Sequence, residues 1–247
     1  MRNIKLTLEY DGSRYHGWQR LGKEESELTI ENKLLELIKK MTGEDVELNC
    51  GCRTEVGVHA YAQIANYKTA SKLKLYEIKN YFNRYLPMDI AVTEVEEVPE
   101  RFHATLNAKA KTYLYRIAIG DVPSVFDRKY TYYCFKKPDV DLMKEAAKLL
   151  IGKHDFKNFS TVKKSKSTMK EIYSIDIYQD AKEIQITIKA NDFLHNMARM
   201  VVATLLDIGL CARDAQDIEA ILNSEATVTA STPASAQGLF LQEIEYI

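Results

Sequence analysis

The chain has 247 residues, 46 % hydrophobic and 28 % charged, which suits one large domain or two of half that size with a real core. No apolar run approaches the ~18 residues needed to span a membrane. The start, Met1-Arg2-Asn3-Ile4-Lys5, leads straight into an alternating pattern, so a cytoplasmic protein without a signal peptide is expected. A net charge of −1 does not advertise a nucleic-acid binder; any such role needs basic groups gathered on one face.

Cys50 and Cys52 stand one residue apart, the wrong spacing for a CxxC motif, and with Cys134 and Cys211 they complete no four-ligand set. No metal is expected.

In chain order, residues 4–10 alternate: Ile4, Leu6, Leu8 and Tyr10 point one way, as in a half-buried strand. Asp11-Gly12-Ser13 breaks it. The following stretch interleaves Arg14 with Tyr15, His16 and Trp18. It reads either as a turn with an aromatic anchor or as a loop that holds RNA by phosphate contact and stacking. Residues 29–41 have helix period, with Thr29 as N-cap and Gly43 as stop. Strands are expected at 46–50 and 60–67, and between them lies the loop Asn49 to Ala60, which packs Arg53, Glu55 and His59 into seven residues. By residue type this loop is either a solvated polar turn or a catalytic loop on a rigid scaffold. A helix over 73–85, ended by Pro87, and a strand over 89–95 complete a β-α-β-β-α-β order, that of a ferredoxin-like unit.

The second half opens with a strand over 109–117, then a strand over 130–135 and a helix over 140–151. Residues 156–167 have no period. Four lysines, Lys163, Lys164, Lys166 and Lys170, with no acid among them, read as a solvated loop or a phosphate-contacting arm. Strands over 172–178 and 183–190 flank a hairpin turn at Gln179-Asp180. An apolar helix over 193–208, a short helix over 215–222 and a closing strand over 239–246 follow. The expected fold is α+β: two ferredoxin-like halves, 1–105 and 106–247, sharing an antiparallel sheet with helices on one face and a cleft between them.

Cys52-Arg53-Thr54-Glu55-Val56-Gly57-Val58-His59-Ala60 resembles the signature loop of the tRNA pseudouridine synthase A family, written G-R-T-D-A-G-V-H-A. Tyr10 to Gln19, Asn83 to Val92, Lys111 to Arg116, Phe193 to Met200 and Ala236 to Leu241 resemble further boxes of that family in the right order. The resemblance implies a cofactor-free isomerisation of uridine to pseudouridine in the anticodon arm of tRNA. It also implies a homodimer with tRNA lying across both subunits. Glu55 stands where the family's catalytic aspartate would be, and Arg199 where its partner arginine would be. The resemblance further places Tyr113 as a ring for the flipped uracil to stack on, with Arg53, Thr54 and His59 around the substrate. Arg14, Arg20 and the four lysines are the expected RNA contacts. Glutamate adds one methylene to the family's aspartate, and Cys52 and Val56 are bulkier than their counterparts. The loop is therefore either a compensated site with Glu55 as nucleophile, or a degenerate one on a module that only binds or folds tRNA.

Overall fold

The computed structural model describes residues 1–19, 28–161, 167–223 and 228–246. Arg20, Lys163, Lys164 and Lys166 lie outside them. The chain divides into two compact units, Met1–Lys109 with Phe240–Ile247, and Ala110–Leu239. Both combine a sheet with helices, so the α+β class holds.

In the first unit the expected β-α-β-β-α-β order is present as β1 (Arg2–Tyr10), α1 (Ile30–Thr42), β2 (Leu48–Cys50), β3 (His59–Thr69), α2 (Leu75–Tyr85) and β4 (Ile90–Val98). β1 lies between β4 and β3 and is antiparallel to both; Ile4, Leu6 and Leu8 are fully buried. α1 is bounded as its end residues dictate. The Thr29 hydroxyl accepts from the Asn32 amide, and Gly43 closes the helix at φ 78°, a left-handed conformation suited to glycine. The other edge of β3 is divided. β2 pairs antiparallel with Ala65–Tyr67, while the closing strand β10 (Leu239–Glu245) pairs with His59 and Ala60. That last pairing is parallel, where an antiparallel sheet is expected. Parallel neighbours need a long connection, and here residues 70–238 supply it.

In the second unit β5 (Ala110–Ala118), β9 (Glu183–Ala190), β8 (Met169–Gln179) and β7 (Gly152–Asp155) lie side by side, each antiparallel to the next. α3 (Val140–Lys148) packs on β8 and on α4 (Met197–Gly209), and a short α5 (Asp217–Leu222) follows. Three expectations need correction. The strand over 130–135 shrinks to β6, Tyr132–Tyr133, parallel to Ile117–Ala118 of β5. β7 was not expected, because its Gly-Lys-His-Asp sequence has no apolar alternation; it is an edge strand. The apolar helix begins at Met197 instead of residue 193, because Asn196 sits at φ 62° and cannot continue a right-handed helix.

Candidate active site

The Asn49–Ala60 loop leaves the sheet at the end of β2 and is held by backbone on one side and buried side chains on the other. The Gly51 amide donates to the Ile64 carbonyl at 2.7 Å, and the Thr105 hydroxyl donates to the Cys50 carbonyl at 2.7 Å. The first box then folds over the loop. The Trp18 amide donates to the Thr54 carbonyl at 3.0 Å, and the Gly57 amide donates to the Tyr15 carbonyl at 3.3 Å. The approach is close enough to require two glycines. Gly17 has φ 82°, and a Cβ there would stand 2.7 Å from the Thr54 carbonyl oxygen. A Cβ on Gly12 would fall on the carbonyl of Val58. Two stretches joined in sequence only by their resemblance to one family are thus one interlocked structure.

Glu55 is half-buried in the middle of this clamp, and Arg53 is exposed. Thr54 is 4 % exposed, and its hydroxyl meets the Tyr10 hydroxyl at 2.7 Å. Burial, opposed by the hydrogen bonds of Thr54 and Gln63, pushes the Tyr10 phenol well up, so it stays protonated. His59 is 1 % exposed; its ring stacks on Phe240 at 4.6 Å, and its Nδ1 receives the Gly12 amide at 3.0 Å. The Asp11 carboxylate stands 3.2 Å from the same nitrogen, which cannot accept from Gly12 and donate to Asp11 at once. The Gly12 hydrogen is fixed by the backbone, so the nitrogen is assigned as acceptor. Thr54 and His59 therefore turn their polar atoms into the loop's own support. Val56 is 61 % exposed, so its extra bulk points to solvent and does not crowd the loop.

Arg14 pairs with Asp89 at 2.7 Å while keeping its side chain 67 % exposed. The same carboxylate accepts from the Tyr15 hydroxyl at 2.6 Å. Burial and that carboxylate push the Tyr15 phenol up to about 12.

In the second unit Tyr113 lies in β5 opposite Ile188, its ring edge-on to Phe193 at 5.0 Å. Arg199 is half-buried in the first turn of α4. Its Nε donates to the Ala234 carbonyl at 2.6 Å and its Nη1 to the Asn196 side-chain oxygen at 2.8 Å. Lys170 pairs with Asp192 at 2.7 Å, and Lys111 pairs with the same carboxylate at 2.5 Å. Among the described residues no group of three or more His, Cys, Asp or Glu side chains could hold a metal ion.

Sequence reasoning missed three supporting residues. Gln63 and Tyr10 lie on the strands beneath the loop, where they read as ordinary strand positions. Asn196 reads as part of a helix, although asparagine is the residue that tolerates φ 62° best after glycine.

A family model described as tRNA pseudouridine synthase matches residues 7–107 and 146–247. A tRNA pseudouridine synthase A 2 of Bacillus cereus is 46% identical over 248 residues, 100% of each chain. The tRNA pseudouridine synthase A of Bacillus sp. (strain KSM-64) is 43% identical over 247 residues, again 100% of each. Among solved structures, an H/ACA RNP bound to a substrate RNA containing 2'-deoxyuridine matches with TM-score 0.35 and 13% identity. That match covers 72% of this chain and 39% of the other, so the chain spans under half of that structure's length.

Proposed function

The chain belongs to the tRNA pseudouridine synthase family, and from that premise we propose that it isomerises uridine to pseudouridine in the anticodon arm of tRNA, with Glu55 as nucleophile and no cofactor. The observation that carries this reading is the clamp on the loop. Glu55 is held between Thr54 and Gly57, whose backbones are both tied to the first box. A carboxylate fixed in this way is prepaid in orientation, which is what covalent catalysis asks of its nucleophile.

The target base must leave the stack to be reached. The carboxylate attacks the nucleoside, and the N1–C1′ bond breaks. The uracil turns, and C5 bonds to C1′ as the carboxylate departs. The C5 hydrogen is lost as a proton and N1 gains one, so substrate and product have the same composition.

Arg199 is the proposed cation opposite Glu55, since a guanidinium fork matches a carboxylate. Its held orientation against Ala234 and Asn196 supports the role. Tyr113 is the proposed stacking ring, and Arg53 the proposed substrate contact. Thr54 and His59 serve the substrate by holding the loop. The proposed RNA contacts are Arg14, Arg20, Lys163, Lys164, Lys166 and Lys170, and the proposed acting form is a cytoplasmic homodimer. No helix among the described residues is long and apolar enough to cross a membrane.

The test is to incubate the protein with transcribed tRNA and map pseudouridine by carbodiimide modification and primer extension. New pseudouridine is expected in the anticodon arm. tRNA that stays unmodified, or is modified only elsewhere, rejects the proposal.

A further inference from the structure

The β2–β3 ladder pairs Leu48 with Tyr67, Asn49 with Asn66 and Cys50 with Ala65, and its last backbone bond runs from Gly51 to Ile64. One step further, Cys52 lies beyond the end of β2, and the register sets it opposite Gln63 of β3. Here a side chain bridges the two strands' continuation. The Cys52 amide donates to Gln63 Oε1 at 3.2 Å, and the Cys52 carbonyl accepts from Gln63 Nε2 at 2.5 Å. A primary amide carries the same donor and acceptor as a peptide unit, so the glutamine side chain extends the ladder by one step.

Gln63 is completely buried, and its hydrogen-bonding capacity is used up. Oε1 also accepts from the Ile64 amide at 3.1 Å, and Nε2 also reaches the Tyr10 hydroxyl at 3.3 Å. That hydroxyl also shares a hydrogen bond with Thr54 Oγ1, 2.7 Å away. A relay therefore runs from Gln63 directly to Cys52 and through Tyr10 to Thr54, the residue immediately before Glu55. With two bonds accepted and two donated, Gln63 has nothing left for a substrate.

We propose that Gln63 is a positioning residue that sets the take-off of the loop and so the place of the Glu55 carboxylate. This rests on the reading of Glu55 as nucleophile. The length of glutamate at that position makes its placement depend on where the loop leaves the sheet.

The experiment compares wild type, Glu55→Gln, Gln63→Met, Gln63→Glu and Tyr10→Phe as full-length protein. It measures single-turnover tritium release from 5-³H-uridine tRNA, tRNA affinity by filter binding, and melting. Methionine keeps the length and loses all four bonds. Gln63→Met is expected to lose about 10²-fold in rate, the scale of an ångström of misplacement, with tRNA affinity unchanged. Gln63→Glu keeps an acceptor for the Cys52 amide but can donate to the Cys52 carbonyl only when protonated. Its rate relative to wild type is expected to rise as pH falls, which a merely structural role would not produce. Tyr10→Phe cuts the relay to Thr54 and is expected to slow release with affinity kept. If Gln63→Met fails to fold, the other two decide. Given an active wild type and an inactive Glu55→Gln, the inference is overturned by wild-type rates in the Gln63→Met or Tyr10→Phe protein. A Gln63→Glu profile parallel to wild type, or a fall in tRNA affinity that accounts for the lost rate, also overturns it. An inactive wild type, or an active Glu55→Gln, sinks the Glu55 reading instead.

Discussion

Gly17 shows at single-residue scale how the loop's position is enforced. Its φ of 82° and the 2.7 Å that would separate a Cβ from the Thr54 carbonyl leave no room for a side chain. Gly17→Ala is expected to cost about 1–2 kcal/mol from left-handed strain alone. Activity should fall more than stability, because the atoms that must yield are the backbone of Thr54 and Glu55. Urea denaturation alongside tritium release separates the two effects; loss of stability with unchanged turnover would count against the clamp. By residue type the loop of Arg53, Glu55 and His59 read either as a solvated turn or as a catalytic loop; its resemblance to the family signature singled it out. The orientations of its side chains were not legible. His59 and Thr54 face inward for reasons that lie in Gly12, Phe240 and Tyr10, residues distant along the chain.

At the scale of elements, legibility followed the strength of local signals. α1 was readable to within a residue at each end because its cap, its stripe and its terminal glycine agree. β8 and β9 alternate, and their turn is fixed by Asp180, whose carboxylate accepts from the Lys182 and Glu183 amides. β7 was invisible because a charged edge strand needs no apolar period. The true start of α4 was hidden because one backbone angle at Asn196 outweighed an apolar pattern that ran on past it. Asp192 ties the ends of β5 and β8 through Lys111 and Lys170. Burial disfavours its charged form, but the two ammonium groups outweigh that and hold the carboxyl below its usual value. A depressed folded value means this contribution is present above the unfolded pKa of about 3.9 and is lost as pH falls through the folded one. Denaturation between pH 7 and pH 3 should show stability falling below roughly pH 4, and Asp192→Asn should flatten that fall while lowering stability at neutral pH. A wild-type-like acid profile in the variant would show the triad to be inconsequential.

For the whole molecule, a net charge of −1 has to be reconciled with a polyanionic substrate. Lys163, Lys164, Lys166 and Lys170 fall within eight residues without an acid, and replacing them together by alanine is expected to weaken tRNA binding. Every phosphate that is no longer neutralised should flatten the slope of log affinity against log salt by ~0.7–0.9; unchanged affinity and slope would remove this arm from the account. Family membership accounts for the chain's whole length, yet its most informative position, Glu55, departs from the family signature. The central claim is that this glutamate, on its clamped loop, does the covalent work. The most direct measurement is single-turnover release of tritium from 5-³H-uridine tRNA by wild-type and Glu55→Gln protein, with tRNA affinity measured in parallel. The amide keeps the shape and loses the nucleophile, so the expected result is release by the wild type, none by the variant, and matched affinities. Release by Glu55→Gln at the wild-type rate would contradict the account.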